Sequence, residues 1–281
     1  MVYYIASCHG VINMKKKWST IYISGGGSGI GLYFAKKFAA EGVKVAIFDI
    51  RISDQVRKEL FQVADAAALD LHELDICDSS AVSEAAQQSA VKLGGPELAI
   101  NCAGVQISKP FLDLSEGEFA RVININLIGS RNFAAAVLPH MGRGSRLAFV
   151  ASLAGLISTY SYAAYNASKF GVVGLAGAVR MDSIARGIEV SVICPPEVMT
   201  PMVEEELRSM DPITFELKQV AGTLDLNSAC DEILTGLEKG KFYIIPGFRA
   251  RMIWRLNRWF PGLVLKKADK IILGGTSEGK L

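Results

Sequence analysis

The sequence predicts an α/β fold with a single doubly wound domain, a seven-stranded parallel sheet and helices on both faces of that sheet. Short apolar runs alternate with helix-like segments over most of the chain, and a glycine-rich turn joins the first apolar run to the first helical segment. Strands that alternate with helices form βαβ units, in which the strands run parallel. A ligand crevice is therefore expected at the carboxyl ends of the strands.

Size and composition fit a protein with one sizeable core. The chain has 281 residues, half of them hydrophobic, and a formal net charge of +2. So small a net charge gives no argument for binding nucleic acid. The five cysteines are scattered without a CxxC pair, which favours reduced thiols in a cytoplasmic protein over a disulfide framework or a metal site.

The predicted elements follow one another from residue 20 onwards. Strands are predicted at residues 20–24, 43–49, 67–75, 98–101, 146–152, 189–194 and 241–245. Helices are predicted at residues 30–40, 79–93, 119–141 and 163–186, with a polar amphipathic stretch at residues 53–64. These elements make up a domain over residues 19–247, which follows a flexible leader at residues 1–18.

A glycine-rich turn, SGGGSGIG at residues 24–31, follows the first strand and opens the first helix. Glycines permit a tight turn and let backbone amides approach a pyrophosphate at the positive N-terminus of a helix. An acidic residue, Asp49, follows at the end of the second strand, as a dinucleotide-binding fingerprint requires. The contacts predicted in this turn are Gly25, Gly27, Ser28, Gly29, Ile30 and Gly31.

Asp49 also indicates which dinucleotide is bound. A carboxylate at this place accepts hydrogen bonds from a ribose 2′-hydroxyl and repels a 2′-phosphate. The glycine turn contains no Lys or Arg to attract a phosphate, although Arg51 stands two residues beyond Asp49 and could weaken the preference. The sequence therefore predicts NAD as the cofactor, with NADP less favoured.

Lys169 is the one formally charged residue between Arg146 and Arg180. Residues four apart on a helix share a face, so Tyr165 and Lys169 are expected to point into the same crevice. A nearby ammonium stabilises a phenolate, which predicts that Lys169 lowers the pKa of Tyr165. The tyrosine could then exchange a proton with a substrate oxygen while hydride moves to or from a nicotinamide.

Five ordered motifs resemble those of the short-chain dehydrogenase/reductase family, whose members have a Rossmann fold. They are SGGGSGIG at residues 24–31, NCAG at 101–104, NINLIG at 124–129, SLAG at 152–155 and YNASK at 165–169. The resemblance implies that Ser152 orients the substrate oxygen, and that Tyr165 is the general acid in reduction and the base in oxidation. It also implies that Lys169 contacts the nicotinamide ribose and that Asn126 helps to hold a water that relays protons to Lys169.

The same resemblance implies further cofactor contacts and an oligomer. Asp75, in LDICD, matches the aspartate placed near the adenine, and a homodimer or homotetramer is the implied assembly. Pro196 departs from the family, which usually has glycine there, and so fixes φ and removes one N–H beside the nicotinamide pocket. The other implied contacts, beside Tyr165 and Lys169, are Ile76, Asn101, Ala103, Gly104, Pro195, Val198 and Thr200.

The segment at residues 197–225 occupies the position of the family's substrate lid and is rich in apolar residues. Its glutamates at residues 204–206 are predicted to face solvent. No arginine cluster is present to clamp an anionic group. A hydrophobic alcohol or ketone, lipid-, steroid- or acyl-like, is therefore predicted as the substrate, unless these residues form only the lid core and subunit contacts.

Residues 248–281 are predicted to form a basic amphipathic helical tail. Arg251, Arg255 and Arg258 share one helical stripe, and Met252, Leu256 and Trp259 lie on the neighbouring one. Basic residues with tryptophans at helical spacing fit a helix lying in a membrane interface, so the cytoplasmic protein would be peripheral to a membrane. The alternative is a surface helix that packs on the lid or on another subunit.

The predicted function is an NAD(H)-dependent oxidoreductase that interconverts a secondary alcohol and a ketone on a hydrophobic substrate. One alternative is a membrane-associated NADPH-dependent ketoreductase similar to the family's 3-ketosphinganine reductases, against which Asp49 argues. The other alternative, a non-catalytic dinucleotide-sensing interaction protein, is disfavoured by the intact set of Ser152, Tyr165, Lys169 and Asn126.

Overall fold

A seven-stranded parallel sheet forms the centre of the computed structural model, which describes residues 18–208 and 210–277. The strands are β1 (Thr20–Ser24), β2 (Lys44–Asp49), β3 (Leu69–Glu73), β4 (Leu98–Asn101), β5 (Arg146–Val150), β6 (Glu189–Ile193), β7 (Glu197–Val198), β8 (Thr223–Leu224) and β9 (Tyr243–Ile244). In the main sheet the strand order is β3-β2-β1-β4-β5-β6-β9, while β7 and β8 pair separately. The predicted doubly wound α/β fold is confirmed.

The helices cover both faces of this sheet. They are α1 (Gly29–Ala40), α2 (Asp54–Val63), α3 (Ser79–Leu93), α4 (Glu116–Ile123), α5 (Gly129–Val137), α6 (Ala163–Ser183), α7 (Pro201–Leu207), α8 (Pro212–Ala221), α9 (Leu226–Glu238), α10 (Phe248–Trp259) and α11 (Pro261–Ser277). Residues of α3, α5 and α6 belong to one apolar core, and residues of α1, α2 and α9 to the other.

Alternation along each strand divides its side chains between these two cores. On β1, Ile21 and Ile23 belong to the core with α1, whereas Tyr22 belongs to the core with α3. On β5, Leu147 and Phe149 lie on the α3 side. Strands buried on both faces read as continuous apolar runs, which explains why the strands were recognisable in the sequence.

The long helix predicted at residues 119–141 is divided in the structure. It begins earlier, at α4, because Ser115 and Glu118 form a capping box. A π-helical turn at Asn124–Ile128 then separates α4 from α5. Such turns are rare and are frequent at functional sites, and this one contains Asn126.

The predicted third strand at residues 67–75 is also shorter in the structure. Ala66–Ala68 form a 3₁₀ turn in which the Asp65 side chain accepts the amide of Ala67, so β3 begins only at Leu69. Three alanines offer no branched side chain to favour a strand.

The predicted C-terminal tail consists of two helices. Phe260 ends α10, and Pro261, which has no N–H to continue the helix, begins α11. Both helices pack on α8, and Asn257 Nδ2 donates to the carbonyl oxygen of Leu156 at 3.3 Å. Within the described ranges, no helix has the length and apolarity to cross a bilayer.

The leader predicted at residues 1–18 lies, up to residue 17, outside the described residues. Trp18 itself is buried, with its ring edge-on to Phe38 at a centroid distance of 6.1 Å. This residue therefore belongs to the domain.

Candidate active site

The glycine turn between β1 and α1 forms a cradle of bare backbone. Gly25 has φ +66°, and a β-carbon there would lie 2.6 Å from the amide nitrogen of Ala103. A β-carbon on Gly31 would lie 2.1 Å from the carbonyl oxygen of Gly25. Only glycine allows this close approach, and the first residues of α1, Gly29 to Gly31, line a cavity where a pyrophosphate would bind.

Asp49 lies at the edge of this cradle, at the end of β2. Its carboxylate accepts hydrogen bonds from the backbone amides of Gly27 at 2.8 Å and Arg51 at 3.1 Å. The side chain is therefore fixed in orientation beside the glycine turn, where a ribose hydroxyl would be recognised.

A cavity of about 570 Å³ connects the glycine cradle to the predicted catalytic residues. The residues that the sequence predicted and that line it are Gly25, Ser28, Gly29, Ile30, Gly31, Asp49, Asp75, Ile76, Ala103, Gly104, Ser152, Tyr165, Lys169, Pro195, Val198 and Thr200. Both the cradle and the acidic edge fit a nicotinamide dinucleotide, because they offer backbone N–H groups for phosphates and a carboxylate for a ribose.

Tyr165 and Lys169 lie one turn apart near the start of α6. Lys169 is buried, and its Nζ lies 5.6 Å from the centroid of the Tyr165 ring and donates to the carbonyl oxygen of Val150 at 3.0 Å. Ser152 follows β5, and its Oγ accepts the amide of Ala154 at 3.1 Å. The hydroxyl, the phenol and the ammonium thus border the same part of the cavity.

The expected lowering of the Tyr165 pKa is not found in the structure without a bound cofactor. Burial raises the pKa of Tyr165 to about 12, while hydrogen bonding with Ser152 opposes the rise and the negative charge of Glu206 adds to it. Burial also lowers the pKa of Lys169 to about 8. Burial is the largest cause of both shifts, so the phenol keeps its proton at neutral pH and can act as an acid.

Asn126 lies beside Lys169 but does not line the cavity. Its Nδ2 donates to the carbonyl oxygen of Val105 and to Ser168 Oγ, both at 2.9 Å, and its Oδ1 accepts the amide of Val105 at 2.8 Å. The side chain therefore fixes the loop after β4 to α6. Its predicted part in a proton relay stays a prediction.

Two predicted cofactor contacts have other roles in the structure. Asn101 is buried away from the cavity, where it accepts from Ser24 Oγ at 2.5 Å and donates to Ser130 Oγ at 2.6 Å. These bonds tie β1 and β4 to α5, so the side chain is structural. The amide of Gly27 is already bonded to Asp49, and Gly27 does not line the cavity.

Sequence reasoning missed a polar group at the lid side of the cavity. Gln106, Tyr162, Glu197 and Lys218 line it, and Glu206 lies behind them. The prediction that the glutamates at residues 204–206 face solvent is wrong for Glu206, whose side chain is only 8% exposed. Glu206 stands three residues after the apolar Val203, and this spacing places both on one face of α7. The sequence therefore contained a signal for the burial of Glu206.

The tail helices form the apolar wall of the same cavity. Ile253 and Leu256 of α10 face it together with Leu263, Val264, Ala268 and Ile271 of α11. From the lid, Met202, Val203, Leu217 and Val220 complete this wall. The packing of the tail on the lid, which the sequence offered as the alternative to membrane contact, is therefore observed, while membrane contact itself stays a prediction.

This parallel sheet, glycine cradle and Ser152–Tyr165–Lys169 site define a nicotinamide-dependent oxidoreductase. A family model described as short chain dehydrogenase matches residues 19–211. The chain therefore belongs to the short-chain dehydrogenase family, and it acts on CH–OH groups with a nicotinamide cofactor.

The relatives agree with this assignment, and solved structures agree with the fold. A 3-dehydrosphinganine reductase of Arabidopsis thaliana is 35% identical over 240 residues, which cover 83% of this chain and 71% of the relative. A D-beta-hydroxybutyrate dehydrogenase of Rhizobium meliloti is 30% identical over 67% of this chain and 74% of its own length. The fold is similar to a short-chain dehydrogenase/reductase of Burkholderia phymatum in complex with NAD, with a TM-score of 0.75 at 23% identity over 87% of this chain and 94% of that one.

Proposed function

We propose that the protein is an NAD(H)-dependent ketoreductase for a long-chain ketone of the 3-dehydrosphinganine type. The observation that carries this proposal is the apolar wall that the lid and the two tail helices form in the cavity that contains Ser152 and Tyr165. An apolar wall of this kind can bury an alkyl chain. Each methylene that it removes from water contributes about 0.8 kcal/mol to the free energy of binding. The relative from Arabidopsis thaliana, named as a 3-dehydrosphinganine reductase, supports the same substrate class.

The residues present can perform the proton chemistry of ketone reduction. A bound nicotinamide dinucleotide supplies the hydride that reaches the carbonyl carbon. The Ser152 hydroxyl is placed to donate a hydrogen bond to the carbonyl oxygen and hold it near Tyr165. The Tyr165 O–H then gives its proton to that oxygen as the C=O double bond becomes a C–O single bond, and the charge of Lys169 stabilises the phenolate left behind.

The proposed substrate class can be separated from the short anionic one suggested by the Rhizobium meliloti relative's name. Purified protein with NADH would be offered a long-chain 3-ketone and, separately, a short 3-oxo acid, with product identified by mass spectrometry. We expect turnover of the long-chain ketone and at least about 100-fold lower kcat/KM for the short acid, because burial of the alkyl chain is lost. Equal kcat/KM values for the two compounds would contradict the proposal.

The preference for NAD(H) rests on Asp49. Its carboxylate is held against the glycine turn by two backbone amides, so it cannot move away from a 2′-phosphate without breaking them. The side chain of Arg51 is exposed to solvent and has water to screen its charge. Repulsion of a 2′-phosphate by the fixed Asp49 carboxylate is therefore stronger than its attraction to Arg51.

Replacing Asp49 by serine should remove most of this preference. We expect the wild type to bind NADH at least about 30-fold more tightly than NADPH, and Asp49→Ser to reduce that ratio about tenfold or more. Dissociation constants from quenching of protein fluorescence measure this without turnover. Asp54→Ser, an exposed carboxylate at the start of α2, is the matched control; an unchanged ratio in Asp49→Ser would refute the role of Asp49.

We also propose that the tail helices rest on a membrane surface. The junction of α10 and α11 presents Trp259 and Phe260 to solvent at 75% and 59% exposure. The two tail helices also carry exposed basic residues, namely Arg255, Arg258, Lys266 and Lys270. Exposed aromatic rings beside basic side chains favour an anionic membrane interface.

Membrane contact predicts that the junction aromatics control binding to vesicles. Flotation with phosphatidylcholine vesicles containing phosphatidylserine should recover the wild type, and the double substitution Trp259→Ser with Phe260→Ser should lower the partition coefficient about tenfold or more. Phe61→Ser, on α2 and also exposed, serves as the control. Equal flotation of the double variant and the wild type would overturn this proposal.

The assembly into a homodimer or homotetramer and the cytoplasmic location stay predictions.

A further inference from the structure

Tyr162 lies against the proposed proton donor, Tyr165, at the start of α6. The residue is buried, and its ring meets the Tyr165 ring edge-on, with 5.5 Å between the centroids and 74° between the ring planes. Aromatic rings favour this edge-to-face arrangement, in which each ring restricts the place and tilt of the other. The position of Tyr162 therefore restricts the position of the phenol that gives the proton.

The hydroxyl of Tyr162 is held by side chains from two other parts of the fold. It donates to Glu206 Oε1 of α7 and accepts from Gln106 Nε2, in the loop after β4, at 2.7 Å. Glu206 Oε2 in turn accepts from Lys218 Nζ of α8 at 2.9 Å, and the Glu206 side chain is only 8% exposed. Hydrogen bonds to an ionised acceptor are the strong ones, so the two lid helices fix the orientation of Tyr162.

The backbone before Tyr162 is strained. Ser161 has φ +61°, and among the residues that the structure describes it is the only non-glycine residue with a positive φ. Its carbonyl oxygen accepts the amide of Lys109 at 2.9 Å, and a bridge pairs Lys109 with Tyr162. Such a conformation persists only where the surrounding structure over-determines it, and these residues cluster at functional sites. The fold thus holds Tyr162 in place against a local backbone preference.

Glu206 influences Tyr165 without reaching the cavity itself. Burial raises the pKa of Tyr165 to about 12, and the negative charge of Glu206 adds to the rise, so the two side chains are close enough to interact. Both carboxylate oxygens of Glu206 already accept hydrogen bonds, from Tyr162 and from Lys218, and the residue does not line the cavity. Any effect of Glu206 on the alignment of the phenol therefore passes through Tyr162.

We propose that Tyr162 is a positioning residue that aligns the Tyr165 phenol with the substrate oxygen, and that Glu206 sets the place of Tyr162 from the lid. Proton transfer needs the donor within hydrogen-bond reach of the acceptor, and a misplacement of about 1 Å can cost about 100-fold in rate. The bond between Tyr162 and Glu206 thereby links the packing of the lid to the proton-transfer step. This inference rests on the proposed ketone reduction, because it concerns the proton donor of that reaction.

Tyr162→Phe tests the alignment, since it keeps the ring and removes the hydroxyl. With the enzyme–NADH complex in excess over a long-chain 3-ketone, we expect the single-turnover rate to fall about tenfold, while the dissociation constants of ketone and NADH stay within about twofold. The solvent deuterium isotope effect on this rate should rise, because a misaligned donor makes proton transfer slower. Tyr160→Phe, two residues earlier and not part of the cavity lining, should leave the rate and the isotope effect unchanged.

Two substitutions at Glu206 separate its hydrogen bond from its charge. Both Glu206→Gln and Glu206→Met remove the charge, but only glutamine keeps an amide that can bond to the Tyr162 hydroxyl. We expect the rate of Glu206→Gln to stay within about threefold of the wild type and that of Glu206→Met to fall about tenfold. Tyr162→Phe combined with Glu206→Met should be no slower than the slower single variant, because both remove the same bond. Glu205→Met, at an exposed position on α7, is the matched control.

Three results would overturn the inference. They are a wild-type rate in Tyr162→Phe, a loss in Tyr162→Phe that appears only in the dissociation constant of the ketone, and a Glu206→Gln variant as slow as Glu206→Met. If Glu206→Met does not bind NADH, the result for Tyr162→Phe decides alone. Absence of turnover by the wild type would instead contradict the proposed function, and the inference with it.

Discussion

Replacement of Tyr165 by phenylalanine should lower kcat/KM for ketone reduction about 10²- to 10⁴-fold. The ring still fills its buried place on α6, but the O–H that gives a proton to the carbonyl oxygen is gone. Ser152 can hold that oxygen by a hydrogen bond, but an aliphatic hydroxyl is a far weaker acid than a phenol and does not replace it as proton donor. Steady-state kinetics with NADH and a long-chain ketone measure the loss.

Two controls separate chemistry from folding in this experiment. Tyr165→Phe should bind NADH with a dissociation constant within about threefold of the wild type, because Gly25, Gly31 and Asp49 are untouched. Tyr33→Phe, on α1, removes the hydroxyl that donates to Asp231 at 3.1 Å and should retain activity. Comparable kcat/KM values for Tyr165→Phe and the wild type would exclude Tyr165 as the proton donor.

Replacement of Lys169 by methionine should abolish most activity and at the same time stabilise the protein. Activity falls about 100-fold or more, since the buried positive charge no longer stabilises the phenolate. Burial lowers the pKa of Lys169 from 10.5 to about 8, which corresponds to about 3 kcal/mol of destabilisation at pH 7. Loss of the hydrogen bond to Val150 offsets about 1 kcal/mol of this effect. We therefore expect the free energy of unfolding of Lys169→Met to exceed that of the wild type by about 2 kcal/mol.

The pH dependence of this gain follows from the direction of the pKa shift. The folded protein holds the Lys169 proton less tightly than the unfolded chain does, so the destabilisation is fully present below pH 8. It decreases as the pH rises and disappears above 10.5, the ordinary value. Urea unfolding of the wild type and Lys169→Met at pH 7 and pH 10 should show the free-energy difference shrinking at the higher pH; a variant less stable than the wild type at pH 7 would contradict this account.

The fold and the order of the catalytic residues were predictable from the sequence because they depend on local patterns. The strands of the sheet are buried on both faces and read as apolar runs, and the glycine cradle sits between a strand and a helix where Asp49 follows at the expected distance. The pairing of Tyr165 with Lys169 was predictable from their spacing of four residues on a helix. Each of these features depends on a few neighbouring residues or on the order of the elements along the chain.

Features that depend on tertiary contacts were not predictable in the same way. The pKa of Tyr165 depends on how deeply α6 is buried, and burial raises it together with the negative charge of Glu206. The polar group at Glu197 brings together residues from the loop after β4, the start of α6, β7, α7 and α8. The tail gave a clear amphipathic signal, but only its packing on α8 showed that it also closes the cavity.

Transfer of a labelled hydride tests the central claim most directly. Wild-type protein is incubated with a long-chain 3-ketone and NADH that carries deuterium at both transferable positions, and the alcohol is analysed by mass spectrometry. We expect deuterium at the carbinol carbon in the wild-type product, and a product yield of about one hundredth or less from Tyr165→Phe at equal enzyme and time. An alcohol without deuterium, or an equal yield from Tyr165→Phe, would contradict the account.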